Sequence, residues 1–139
     1  MILKRIDGSV LGEGADLRAI AEQHREALCR ADLGGAELHV ALLCGAALHQ
    51  ANLSKSSLVW ADLREADLSE ADLREADLHE AILLWANLNK ADLRKANLRG
   101  AYLHGADLRE ADLRDADLRD AYLEGACLDG ADLQDTLGL

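Results

Sequence analysis

Proline and phenylalanine are both absent from the 139 residues, and the whole aromatic content is two tryptophans and two tyrosines. A chain without proline can engage every backbone N–H, which suits a fold built on one uninterrupted hydrogen-bonded ladder. No apolar run approaches the ~20 residues of a membrane span, and the first residues lack the apolar centre of a signal peptide, so no membrane association and a cytoplasmic location are expected. The three cysteines, Cys29, Cys44 and Cys127, are odd in number and stand at unrelated spacings. They fit a reducing compartment and no disulfide framework.

Catalytic signatures are missing too. There is no phosphate-binding glycine motif, no CxxC and no nucleophile with a base at a recognisable spacing. His24, His39, His49, His79 and His104 never pair at metal-ligand spacing. Carboxylates are so frequent that no pair of them marks an acid and a base, and charge runs of this kind are usually solvated surface. The expectation is a protein that is not an enzyme, with no catalytic residue, cofactor or metal.

What the chain does contain is one phrase repeated. Residues 61–80 read ADLRE ADLSE ADLRE ADLHE, and the same five-residue register runs from Ala31 to Asp135 as 21 phrases. Leucine fills the third place of all 21, and alanine fills the first place of every phrase but one, where Ser56 stands. A period of five matches neither the 3.6-residue helix nor the two-residue strand, so the chain must turn at regular intervals. Two apolar places point inward and three polar places outward. Each unit is too small to bury its own core, which is the signature of a solenoid whose core forms by stacking neighbours.

These residues resemble the pentapeptide-repeat family, whose motif is A(D/N)LXX. The resemblance implies an all-β fold, a right-handed quadrilateral β-helix in which four phrases make a coil of 20 residues. The sequence carries its own test of that number. The second place of a phrase departs from its polar preference at Leu42, Ala47, Ile82, Tyr102, Tyr122 and Cys127, and four of these are separated by multiples of 20. Leu42, Ile82, Tyr102 and Tyr122 should therefore stack on one face.

Three segments are predicted. Residues 1–30 form an N-terminal cap, a β-hairpin turning at Asp7-Gly8 followed by an amphipathic helix over residues 15–29 that lies outside the register. Residues 31–135 form about five coils of β-helix. Residues 136–139 are a C-terminal tail where the register stops. A bare solenoid end would expose leucines and a ladder of backbone groups, so a cap is physically required.

Two surface features stand above a uniformly solvated exterior. The four aromatics fall on the third face or the corner leading into it, giving a candidate protein-binding patch of Trp60, Ile82, Leu84, Trp85, Tyr102 and Tyr122. Across from it, Asp32, Asp72, Asp92, Asp112 and Asp132 line up with Asn52 as an acidic column, in which Arg74, Arg94 and Arg114 are expected to relieve repulsion. The net charge is -11. Basic patches are absent, so direct nucleic-acid binding is not expected.

The function expected is a non-enzymatic protein-protein interaction or scaffold module with an unspecified protein partner. The alternative is an acidic mimic of DNA, since some relatives, the quinolone-resistance and self-protection proteins, are understood to occupy the DNA site of type II topoisomerases such as gyrase. A rod of about five coils at ~4.8 Å would carry one net charge per ~2.3 Å, against one per ~1.7 Å in duplex DNA. A third reading is a structural repeat with no specific ligand. A homodimer joined through the C-terminal ends is also expected, with Leu128, Leu133, Leu137 and Leu139 at the joint, unless Leu137 and Leu139 fold back as a plug.

Overall fold

A computed structural model of the chain describes residues 2–5, 8–13 and 16–139. Parallel β-bridges join residues twenty apart along its length, from Asp32↔Asn52 through Ile82↔Tyr102 to Asp112↔Asp132. Four phrases therefore make one coil. We number its faces from the phrase that opens at Ala31, so that Leu42, Asp62, Ile82, Tyr102 and Tyr122 share the third.

The phrase owes its shape to where each backbone donor goes. The leucine N–H reaches the next coil, as Leu63 does to Ile82 C=O at 2.8 Å. The second residue reaches back, as Asp62 does to Ala41 C=O at 2.9 Å. The fifth residue also reaches forward, as Glu65 does to Leu84 C=O at 2.9 Å. The alanine N–H closes a tight turn onto the leucine three places before it, as Ala66 does to Leu63 at 3.1 Å.

Each turn requires a left-handed residue at the fifth place. Glycine meets this without cost at Gly105 and Gly125, whereas Trp60, Glu65 and Trp85 adopt φ between 55° and 57° with a side chain present. A left-handed conformation is disfavoured for such residues. The ladder on either side holds them there.

Alanine and leucine fill the interior, and nearly all of them are fully buried from Ala31 to Leu118. Ser56, the one exception in the alanine column, is buried too, and its hydroxyl donates to Leu53 C=O at 2.7 Å. The substitution is tolerated because the buried hydroxyl is satisfied.

At the N-terminal end, β1 (Ile2–Arg5) pairs antiparallel with β2 (Val10–Glu13), and β1 also pairs antiparallel with β3 (Ala31–Asp32) on the first face. Asp7, half of the turn read from the sequence, lies outside the described residues, as do Ile6 and Ala15. Helix α1 covers Leu17–Gln23, with the Asp16 carboxylate accepting the Arg18 N–H at 2.9 Å. It is shorter than the 15–29 segment expected, and a 3-10 turn follows at Arg25–Ala27.

The reason lies at Leu28, which is fully buried at a place in the five-residue register. Arg30 takes the left-handed corner conformation (φ 58°) and donates to His49 C=O at 2.9 Å, as later fifth residues do. The stack claims Leu28, so the helix must end before it. Above the first coil, the Glu22 carboxylate accepts the Leu42 N–H at 2.9 Å and Arg25 C=O accepts the Ala47 N–H at 2.8 Å.

The far end also departs from expectation. The register does not stop after Leu133: Leu137 bridges to Asp117 and donates to Ala116 C=O at 2.9 Å. Thr136 stands in the alanine place, with its hydroxyl donating to Leu113 C=O at 2.8 Å. Residues 136 and 137 thus extend the coil.

Candidate interaction face

The outward places are governed by a contact that periodicity alone does not reveal. In every phrase whose second residue is Asp or Asn, the side-chain oxygen accepts the backbone N–H of the fourth residue. Examples are Asp72 with Arg74 at 3.1 Å, Asn87 with Asn89 at 3.1 Å and Asp117 with Arg119 at 3.1 Å. The fourth N–H is the one donor that the ladder leaves over, and aspartate and asparagine are the residues that form this two-residue link. Only the shared preference for Asp and Asn at the second place could have signalled this role.

Where the fourth residue is arginine, the aspartate is often gripped a second time. Arg64, Arg74, Arg94, Arg109, Arg114 and Arg119 fork onto Asp62, Asp72, Asp92, Asp107, Asp112 and Asp117, with Nη2 to Oδ2 at 2.6 Å. Two parallel charge-assisted bonds make this a strong local pair. The side-chain bond from Arg119 holds the Asp117 carboxyl at about 2, and the corresponding arginines hold Asp62, Asp72, Asp107 and Asp112 below the usual carboxylate range. Burial opposes the shift in each case and loses to the arginine.

The acidic column is accordingly a ladder of alternating charge. Arg74 Nε lies 3.7 Å from Asp92, Arg94 Nε 3.5 Å from Asp112 and Arg114 Nε 3.5 Å from Asp132. At the top, Asn52 donates to Asp32 at 2.7 Å. A cleft of about 350 Å³ beside this ladder is lined by both signs, including Arg94, Lys95, Asp115 and Asp135. Nor does any face concentrate the net charge, since the excess acids are shared almost evenly among the four.

The third face is built differently. Four of its five second places are Leu42, Ile82, Tyr102 and Tyr122, which cannot accept the fourth N–H. Asp62 is the exception, and its fork with Arg64 crosses the face between Leu42 and Ile82. That pair bounds the upper end of the apolar patch read from the sequence. Ile82, Leu84, Trp85, Tyr102 and Tyr122 form a continuous strip below it, and Trp60 stands at the entering corner, where its indole N–H donates to Glu80 at 2.8 Å.

Trp85 corrects the expectation in one respect. As a fifth residue it occupies the corner that leaves the third face, not the one that leads in. Its indole lies over Gly105 so closely that a Cβ there would stand 2.5 Å from Trp85 Cδ1. Its ring meets His104 edge-on at 6.3 Å. Tyr102 and Tyr122 stack in parallel with centroids 4.9 Å apart, the rise of one coil. All four aromatics are exposed, Trp85 at 59% and Tyr122 at 58%.

At the C-terminal end, Leu128 is half-buried, and Leu133, Leu137 and Leu139 are exposed. Among the described residues, no group of three or more His, Cys, Asp or Glu is placed to hold a metal, and no helix is long and apolar enough to cross a membrane.

A family model for pentapeptide repeats matches the chain over residues 27–58, 56–94 and 96–135. The chain belongs to the pentapeptide-repeat family. Solved structures of other pentapeptide repeat proteins agree in fold. Rfr23 from the cyanobacterium Cyanothece 51142 is 39% identical, with 68% of this chain and 65% of that one aligned at a TM-score of 0.66. A protein from Nostoc Pcc 7120 is 44% identical over 55% of this chain and 64% of its own, at a TM-score of 0.55. A thylakoid-lumen protein of Arabidopsis thaliana is 30% identical over 58% and 56%, at a TM-score of 0.56. The chain thus spans less than two thirds of the length of these relatives. A comparison with curated proteins found no match. This pentapeptide repeat protein shares a β-helix with its relatives.

Proposed function

We propose that this chain is a non-enzymatic protein-interaction module that docks a partner protein on the third face, over the strip from Ile82 to Tyr122. One observation carries the reading. The third face gives up the side-chain-to-backbone bond in four of its five phrases, and the second place there holds large apolar groups instead. Such a bond contributes about 1 kcal/mol, and on this face it is given up for large apolar side chains of which Leu42, Tyr102 and Tyr122 stay exposed to solvent. Local rules are typically broken where function requires it. Exposed tyrosine and tryptophan are the side chains that most often anchor interfaces.

Replacing the rings by the family residue tests this. In Tyr102→Asn with Tyr122→Asn, two new N–H acceptors offset the lost ring stacking, which is worth ~0.5–1.5 kcal/mol. The double variant should melt within about 5 °C of the unmodified protein and should no longer capture the partner that the unmodified protein retains from cell lysate. A fall in the melting temperature of more than about 10 °C, with capture intact, would assign the rings to stability and reject the docking face.

The DNA-mimic reading ranks second. Mimicry of duplex DNA needs rows of free carboxylates, and here the aspartate rows are forked by arginine and the excess charge is spread over four faces. Inhibition in a gyrase supercoiling assay would bring it forward.

A further inference from the structure

The strip on the third face has a charge character that narrows its partner. Its three phrases, residues 81–85, 101–105 and 121–125, contain no lysine or arginine. Every arginine that borders it is already engaged: Arg64 by Asp62, Arg99 by Asp120, Arg109 by Asp107 and Arg119 by Asp117. Among the described residues, Glu80 and Glu124 have no lysine or arginine partner. Glu80 accepts the Trp60 indole N–H and lies 3.3 Å from His79, and Glu124, almost fully exposed, has only His104 at 3.8 Å. An apolar strip is thus edged by carboxylates at its entering corner and lower end.

The backbone restricts how a partner can bind. The N–H groups of Ile82, Leu83, Trp85, Tyr102, Leu103 and Gly105 all donate to the coil above or below. Between Ile82 and Gly105 no strand edge is free, so a partner lying on the face of the strip makes its contact through side chains and not by β-augmentation. The strip extends two coil rises plus the width of its rings, roughly 15 Å, which matches about ten residues of α-helix.

We infer that the third face takes a short basic amphipathic helix of a partner protein, its apolar side on Ile82, Leu84, Trp85, Tyr102 and Tyr122 and its lysines or arginines against Glu80 and Glu124. This rests on the docking face proposed above and adds the class of occupant. The contact is small, which places the complex among transient interfaces. Rim charges of this kind govern association rate and salt dependence more than they govern depth of binding.

Three twelve-residue peptides with one apolar helical face test it, their polar positions filled with lysine, glutamine or glutamate. Binding is followed by fluorescence anisotropy of the labelled peptide. The lysine peptide should bind about tenfold more tightly than the glutamine peptide at low salt, with the advantage falling as salt rises. Tyr102→Asn with Tyr122→Asn, checked for an intact fold by circular dichroism, should weaken the lysine peptide about tenfold or more. Glu80→Gln with Glu124→Gln should remove most of the preference for lysine over glutamine.

The outcomes separate the two levels of the argument. If the glutamine or glutamate peptide binds at least as well as the lysine peptide, and that binding is lost in the tyrosine variant, the docking face stands and the basic class is wrong. If the lysine peptide binds the folded tyrosine variant as tightly as the unmodified protein, or no peptide binds at all, the inference is overturned. Undiminished binding to the tyrosine variant would also remove support from the docking face itself.

Discussion

Leu88→Asp is expected to abolish folding of the coils around it. Leu88 is completely buried in the leucine column, in the same register as Leu68 and Leu108, and its N–H donates to Asp107 C=O at 2.7 Å. A carboxylate there meets only alanine and leucine side chains, with neither a counter-ion nor water to replace its hydration. An unpaired buried charge costs several kcal/mol even after relaxation. That exceeds what a single coil contributes in a fold whose stability is a sum over repeats and their interfaces. The expected result is loss of the cooperative thermal transition, or fraying of everything C-terminal to the site, read by circular dichroism. Arg94→Ser provides the contrast. It breaks the fork with Asp92 and the contact to Asp112, both at the surface, where water and salt screen such pairs and little stability is lost with them. Equal melting temperatures for the two variants would contradict the assignment of inward and outward places.

Asn97→Pro is the second large effect. Asn97 donates its backbone N–H to Ala76 C=O at 2.9 Å, so proline there deletes one rung of the ladder and leaves a carbonyl unpaired in the wall of the coil. Its amide also donates to Asp77 at 2.8 Å, and its oxygen accepts the Arg99 N–H at 3.2 Å. Asn97→Ala removes only those side-chain bonds and should cost about 1–2 kcal/mol. Asn97→Pro should cost at least ~3 kcal/mol, because it removes the rung as well. Denaturant unfolding of the two variants separates the contributions. A proline variant no less stable than the alanine variant would mean that the complete absence of proline from this chain has another origin.

The parts of this molecule that were legible in the sequence are those governed by repetition. The Ala and Leu columns, and the stacking of Leu42, Ile82, Tyr102 and Tyr122 on one face, follow from counting, since a regular turn every five residues admits few geometries. The contacts that depend on dihedral angles within one phrase were not legible. Asp72 and its equivalents read as surface charge, whereas each is first an acceptor for a backbone N–H and then the seat of an arginine fork. The same limit applies to Trp85. Its place one residue after Leu84 does not reveal that the fifth residue turns the corner, which carries its ring over Gly105. At Leu28 local helical periodicity competed with the register of the stack, and the burial gained in the stack won. At Trp85 and Leu28 a short-range rule read from the chain was overruled by neighbours in the next coil.

The central claim is that residues twenty apart are neighbours along the third face, which makes its exposed rings a single strip. Site-directed cross-linking tests it most directly. With Cys29, Cys44 and Cys127 replaced by serine, the pair Ile82→Cys with Tyr102→Cys should be joined within one chain by a short thiol-specific cross-linker, because the two positions form a parallel bridge about 4.8 Å apart. The pair Ile82→Cys with Asn97→Cys, fifteen residues apart and on adjacent faces, should react far more slowly. Preferential joining of the twenty-residue pair is the predicted result, and equal or faster joining of the fifteen-residue pair would contradict the coil and the face built on it.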